Sequence, residues 1–144
     1  MVNTQGLMYA TLGLGIGILL TFLAVIVLIV AANWKIFVKA GESGWKALIP
    51  YYNTYILCKI SKVPTLFIAW IIFSVIGLGF NFYDNLWIET AGELGTFVVS
   101  ILISINLGKA FNKSTGFIVG LVLLPVIFYP ILAFGSSTYD ETSN

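Results

Sequence analysis

The 144-residue chain has no histidine, no arginine and a single cysteine, Cys58. Without histidine there is no imidazole for general acid–base work and no nucleophile–histidine arrangement. One cysteine cannot close an intramolecular disulfide, and it is a poor start for a zinc or redox-metal site. No cofactor is expected. A net charge of +1 with no arginine offers no basic stripe for reading nucleic acid. Charge of either sign is scarce: 9% of residues are charged and 59% hydrophobic, where soluble domains carry roughly 25% charged residues. A soluble core could not hide so much apolar surface, so lipid is the expected solvent for most of the chain.

What is present is apolar runs separated by short aromatic and polar segments. Residues 1–6 carry no lysine, unlike a secretory signal. Residues 7–32 are long enough to cross a ~30 Å hydrocarbon core, and Gly13, Gly17 and Thr21 mark a small face on that helix. Residues 65–82, 94–111 and 116–134 read as three further spans, the third short enough to stand nearly upright. Thr96, Ser100, Ser104 and Gly108 form a ladder at spacing four on the third. Gly116 and Gly120 repeat that spacing on the fourth, where Pro125 and Pro130 predict kinks. These glycines and hydroxyls read first as helix-packing residues. The predicted fold is one all-α membrane domain over residues 1–144, with four transmembrane helices and an interfacial or re-entrant helical hairpin between the first two.

That hairpin, residues 34–63, is the densest aromatic and basic stretch. It holds Lys35, Lys39, Lys46, Lys59 and Lys62, five of the seven lysines. Residues 40–44 read as a turn, and Pro50 as the first residue of a new helix. Residues 51–60 do not separate into polar and apolar faces, which favours a half-buried or re-entrant segment anchored by Trp45, Tyr51, Tyr52 and Tyr55. All seven lysines follow the first or third span. Five of the six acids follow the second or fourth. The positive-inside rule then puts residues 34–63 in the cytoplasm and both termini outside.

Trp34-Lys35-Ile36-Phe37, Lys39-Ala40-Gly41, Gly44-Trp45, Leu48-Ile49-Pro50, Tyr52-Asn53 and Tyr55 resemble the signature of DUF5684, a bacterial membrane family of unknown function. Lys109-Ala110-Phe111, Thr115-Gly116-Phe117 and residues 128–135 resemble its closing motif. A related segment precedes the peptidase domain of some Bacteroidetes signal peptidase I proteins. The resemblance implies a four-span domain of the bacterial inner membrane and an association with protein export. It implies no activity.

Enzymatic readings fare poorly. A Ser/Lys dyad at Ser61 and Lys62 would need to face outside beside a catalytic domain, yet every lysine is expected inside. The stretch from Gly108 to Thr115 superficially resembles a phosphate loop but is one residue short, has Asn112 in place of a required glycine, and follows a helix. It reads as a connection with Ser114 or Thr115 capping the last span. Coupled transport needs an ionisable group near mid-membrane, and none is placed there. The aromatic-basic segment has two readings. In one it is an inner aromatic belt whose lysines meet anionic lipid at ~1 kcal/mol each. In the other it is a docking surface for a partner's membrane segment, formed by Trp34, Trp45, Lys46, Pro50, Tyr51, Tyr52, Asn53 and Tyr55. The expected function is a non-enzymatic integral membrane interaction or accessory module, linked to protein export or membrane-complex assembly. The alternative is a small oligomeric channel or transporter component. Its partners are then the bilayer and a membrane protein or second copy.

Overall fold

Asn3 starts the first helix by accepting hydrogen bonds at Oδ1 from the amides of Gln5 (3.2 Å) and Gly6 (3.4 Å), an N-cap. The computed structural model describes residues 3–79 and 86–142. Helix α1 runs Thr4–Lys39, followed by a 3₁₀ turn over Gly44–Leu48. Then come α2 (Tyr52–Ile60), α3 (Thr65–Gly79), α4 (Leu86–Ala110), α5 (Thr115–Leu123) and α6 (Pro125–Phe134). All regular elements among the described residues are helical. Two of them, α1 and α4, are long and apolar enough to cross a membrane. Asn81, the expected end of the second span at 82, and Asp84 lie outside the described residues.

Three helices end in the same way. Gly41 (φ 77°), Lys62 (φ 61°) and Asn112 (φ 50°) are left-handed, and each is followed by an amide that reaches back across the last turn. Glu42 N donates to Phe37 O (2.8 Å), Val63 N to Cys58 O (3.0 Å) and Lys113 N to Gly108 O (3.0 Å). These are Schellman motifs, in which a left-handed residue lets the chain satisfy the final carbonyls and turn away.

All three stops lie at one end of the molecule, here termed the lysine end. From it α3 rises and α4 returns, packed antiparallel: Gly77 meets Gly92, and Phe73 lies over Gly95. The 3₁₀ turn and α2 form a short hairpin from the same end. Leu48 reaches the level of Val27 to Ala31 on α1. Tyr51 packs edge-on against Trp70 at 5.8 Å, and Tyr55 against Phe67 at 5.3 Å. At its tip Tyr51 has φ 63°, ψ −46°, and Tyr52 N donates to Pro50 O at 2.7 Å. This is a γ-turn of the strained hand, and it corrects the expectation for Pro50: helix α2 begins two residues later, beyond the corner.

The larger correction concerns residues 116–134. They do not form one kinked span. Helix α5 ends at Leu124 (φ −133°, ψ 59°), and α6 starts with Pro125 at its first position. The chain reverses between them, so Phe117 and Phe128 stack edge-to-face at 5.1 Å. Each arm is ~14 Å long at 1.5 Å per residue, half the thickness of a hydrocarbon core. Helix α6 therefore returns to the lysine end, and residues 135–142 lie there, opposite Thr4. Thr4 and Thr142 therefore lie at opposite ends, and Asp140 and Glu141 sit among the lysines. Helix α4 also begins earlier than position 94. Leu86–Glu89 are its first turn, where a helix N-terminus favours an acid such as Glu89. Its 25 residues give ~37 Å, so the short-span expectation falls.

The buried core is confined to the lysine half. Ile36, Phe37, Ile56, Leu107, Leu121 and Leu132 are all 1% exposed or less and join α1, α2, α4, α5 and α6 in one cluster. Beyond it, Leu7 through Leu23 of α1 are exposed, as are Leu94, Phe97 and Val98 of α4. Contiguous apolar surface of this extent marks a lipid or partner interface.

Candidate functional site

Polar chemistry gathers in two places. The first is the lysine end. Lys39 Nζ donates to the carbonyls of Leu132 (2.8 Å) and Gly135 (2.6 Å) and to Ser137 Oγ (3.3 Å). A cation on the last carbonyls of α6 meets the negative end of its dipole. The tail is held by further bonds: Asp140 N to Ala110 O at 2.9 Å, Tyr139 OH to Ile60 O at 3.0 Å, Lys62 Nζ to Glu141 O at 2.9 Å and Asn112 Nδ2 to Asp140 Oδ2 at 3.0 Å. Burial pushes the Tyr139 phenol up, and Glu141 adds to the shift. Glu42 is clasped by Lys46 (2.5 Å) and Lys59 (2.6 Å). Hydrogen bonds from Lys46 and then Lys59 hold its carboxyl below the usual range, and Glu42 in turn raises Lys59.

The second place is a cavity of about 400 Å³ above the two hairpins. Its walls are Ile29 and Asn33 of α1, Thr54 and Leu57 of α2, Trp70 of α3, one face of α4 that includes Phe97, Ser100 and Ser104, and the α5–α6 reversal through Leu121, Pro125 and Tyr129. Helix α1 makes no backbone approach to α3, α4 or α5 among the described residues, which leaves this side open. Ser104 Oγ and Tyr129 OH share a hydrogen bond at 3.2 Å. Ser100 Oγ donates to Thr96 O at 2.9 Å in its own helix. Asn33 is 5% exposed, and its Oδ1 has no hydrogen-bond partner.

The residues expected to form a docking surface divide between two surroundings. Trp34 lies over Gly44, where a Cβ would strike its indole, and lines a groove with Leu48 and Phe134. Trp45 is exposed, and Lys46 is engaged by Glu42. Pro50 and Tyr51 line a different groove with Trp70 and Phe73, and Tyr52 stacks on Tyr55 at 5.9 Å. Asn53 closes the first hairpin: its Nδ2 donates to Ala47 O at 3.4 Å, and its Oδ1 is buried without a partner.

The helix-packing residues also divide. Cβ atoms built at Gly13, Gly17 and Gly116 meet nothing within 4 Å, so none packs another helix among the described residues. A Cβ at Gly108 would lie 2.6 Å from Ile118, and one at Gly120 would strike Phe128 of its own hairpin. Thr96 and Ser100 bond back to Gly92 O and Thr96 O, while Ser104 reaches α6. A spacing of four advances roughly 40° per step around a 3.6-residue helix, which turns the ladder from the α3 side at Thr96 to the α5 side at Gly108. Sequence reasoning missed Asn33, Thr54, Tyr129, Gly77 and Gly92. An isolated amide closing a 26-residue apolar run, and a lone phenol between Pro125 and Pro130, were the available signals.

Fold and site together define an all-helical protein with two helices able to cross a membrane, built around chain reversals at one end. The chain belongs to DUF5684, a family of unknown function whose model matches residues 45–142. The match begins after α1, so the Trp34 to Gly41 part of the resemblance lies outside it. No curated protein and no solved structure matches the chain.

Proposed function

We propose that the chain is a single integral membrane domain that acts as a non-enzymatic interaction module. In this reading α1, α3 and α4 span the bilayer, and the two hairpins dip into it from a cytoplasmic lysine end. The N-terminus is then outside and the tail inside. Lysines on that face meet anionic lipid at ~1 kcal/mol each. A place in the bacterial inner membrane, in protein export or in membrane-complex assembly rests on family analogy.

The observation that carries the reading is the far half of α1. Residues 7–23 are exposed, and among the described residues nothing lies within 4 Å of a Cβ built at Gly13, Gly15 or Gly17. One side carries a groove formed by Gly13, Leu14, Gly17, Ile18, Thr21 and Phe22. Small residues at that spacing let a second helix backbone approach closely, the main source of helix association in lipid. The proposed occupant is one transmembrane helix of a partner protein.

A photo-crosslinking side chain at Ile18, activated in native membranes, tests this. A discrete heterologous adduct that disappears when Gly13 and Gly17 are both replaced by isoleucine is the expected result. An adduct with a second copy moves the assignment to the alternative, a small oligomeric channel or transporter component. Crosslinking to lipid alone overturns both.

A further inference from the structure

From the cavity above the hairpins we infer a binding site for an uncharged lipid that carries a free hydroxyl group. The inference rests on the membrane setting proposed above, but not on α1 having a protein partner.

The chemistry of the lining sets the ligand class. None of the residues around the cavity carries a formal charge, so an ionised headgroup would be buried without a counter-ion, which is strongly unfavourable. The polar groups on the wall are all neutral: the Asn33 amide, the Thr54, Ser100, Ser104 and Tyr129 hydroxyls and the Trp70 indole. Asn33 Oδ1 is an acceptor, fully enclosed and unpartnered. A buried acceptor in that state is destabilising until something donates to it. Ser104 and Tyr129 donate to each other only once, so one hydroxyl hydrogen of the pair is left for a ligand. A hydroxyl matches this lining, since it can donate to an acceptor such as Asn33 Oδ1 and can accept the spare hydrogen of the pair. The remaining wall is apolar and aromatic, and about 400 Å³ falls within the range of small-ligand sites.

The route of entry fixes the source. Below the cavity the lysine end is closed by α6 and the tail, through Lys39 and Tyr139. Its open side is edged by exposed Phe97 and Val126, which face hydrocarbon in the proposed orientation. A ligand therefore arrives from within the bilayer. Long-chain alcohols reach such a site from two sources, diacylglycerols and isoprenoid alcohols.

The test uses the full chain in nanodiscs with three diazirine probes: a diacylglycerol, a prenyl alcohol and a phosphatidylcholine. The expected result is a saturable adduct on the peptide spanning residues 97–104 with one or both alcohols. Which alcohol competes better identifies the source. Ser100→Trp, which fills the cavity from its rim, should abolish the adduct. Asn33→Leu should weaken binding about five- to tenfold, the loss expected for one hydrogen bond. Equal, non-saturating labelling by phosphatidylcholine, or labelling unchanged in Ser100→Trp, overturns the inference. Retention of the chain in the membrane fraction after alkaline extraction is read in parallel. Its loss would refute the membrane setting, whereas loss of the adduct alone would refute only the site.

Discussion

The close approach of α3 and α4 can be tested by adding one methyl group. A Cβ at Gly92 would lie 2.7 Å from Gly77 Cα and 3.0 Å from the Ile76 carbonyl carbon. Ordinary carbon contacts are ~3.5–4.0 Å, and these neighbours are backbone atoms that no rotamer change can move. The helices must therefore part by about 1 Å, which forfeits a quarter to a half of the dispersion energy of each contact across the seam. Because the obstructing atoms are backbone, the overpacking cost falls in the upper part of the ~1–3 kcal/mol range, about 2–3 kcal/mol, while alanine returns about 1 kcal/mol of helix propensity. The net expectation for Gly92→Ala is ~1–2 kcal/mol of destabilisation. Gly13→Ala makes the contrast: with nothing within 4 Å, only the propensity gain applies, and stability should be unchanged or higher by up to ~1 kcal/mol. Reversible unfolding of the monomer in bicelles reads both. A Gly92→Ala protein as stable as the parent would refute the α3–α4 packing described above. Destabilisation by Gly13→Ala in the monomer would mean that α1 has an intrachain neighbour.

Three other outcomes are expected. Lys39→Met removes the donor to two α6 carbonyls at a cost of ~2 kcal/mol, typical of hydrogen bonds to a charged group; amide exchange in residues 132–140 should accelerate while α3 is unaffected. Glu42 has a depressed pKa, so its contribution is complete above its ordinary value of 4.5 and is lost as pH falls through the lower folded value. Acidification through that window should loosen residues 42–50 by about 1 kcal/mol, seen as a change in tryptophan emission, and Glu42→Gln should remove the pH dependence. Thr142→Cys should be labelled from the lysine side of oriented vesicles and Thr4→Cys from the opposite side, with buried Cys58 silent; labelling of both from one side would refute the α5–α6 reversal.

Element type and the turns at the lysine end were legible because local chemistry decides them. An apolar run ending in Lys39-Ala40-Gly41 announces its own stop, since glycine adopts the left-handed conformation freely. Lys62 and Asn112 perform the same turn without glycine, and there the sequence signal is weaker. Helix partners were not legible. Gly13-xxx-Gly17 and Gly116-xxx-Gly120 have the same spacing, yet only Gly120 meets a side chain of this chain. The pairing that does form, Gly77 with Gly92, joins glycines on different helices and has no periodic signature. The positive-inside rule weighs lysines alone, so it placed the acids of the tail by counting spans. One miscounted span moved Asp140 and Glu141 to the wrong end.

That miscount has a physical cause which also accounts for the cavity. Residues 116–134 are apolar throughout, and length and hydropathy cannot distinguish one crossing from two half-crossings. The deciding feature is Leu124-Pro125. Proline disfavours helical backbone in the residue before it, and Leu124 is non-helical at φ −133°, ψ 59°. A second proline, Pro130, has no N–H to offer the Val126 carbonyl. Non-helical backbone at membrane depth is tolerated only where protein buries it or where it lines a cavity. In the proposed orientation the α5–α6 corner lies at that depth and lines the cavity through Pro125 and Val126. The tip of the first hairpin is exposed and lines a separate groove with Trp70. The proline that breaks the fourth apolar run and the amide at Asn33 that ends the first thus belong to one construction. A half-length hairpin leaves space above it, and that space holds the unpartnered polar atom that gives it chemical selectivity.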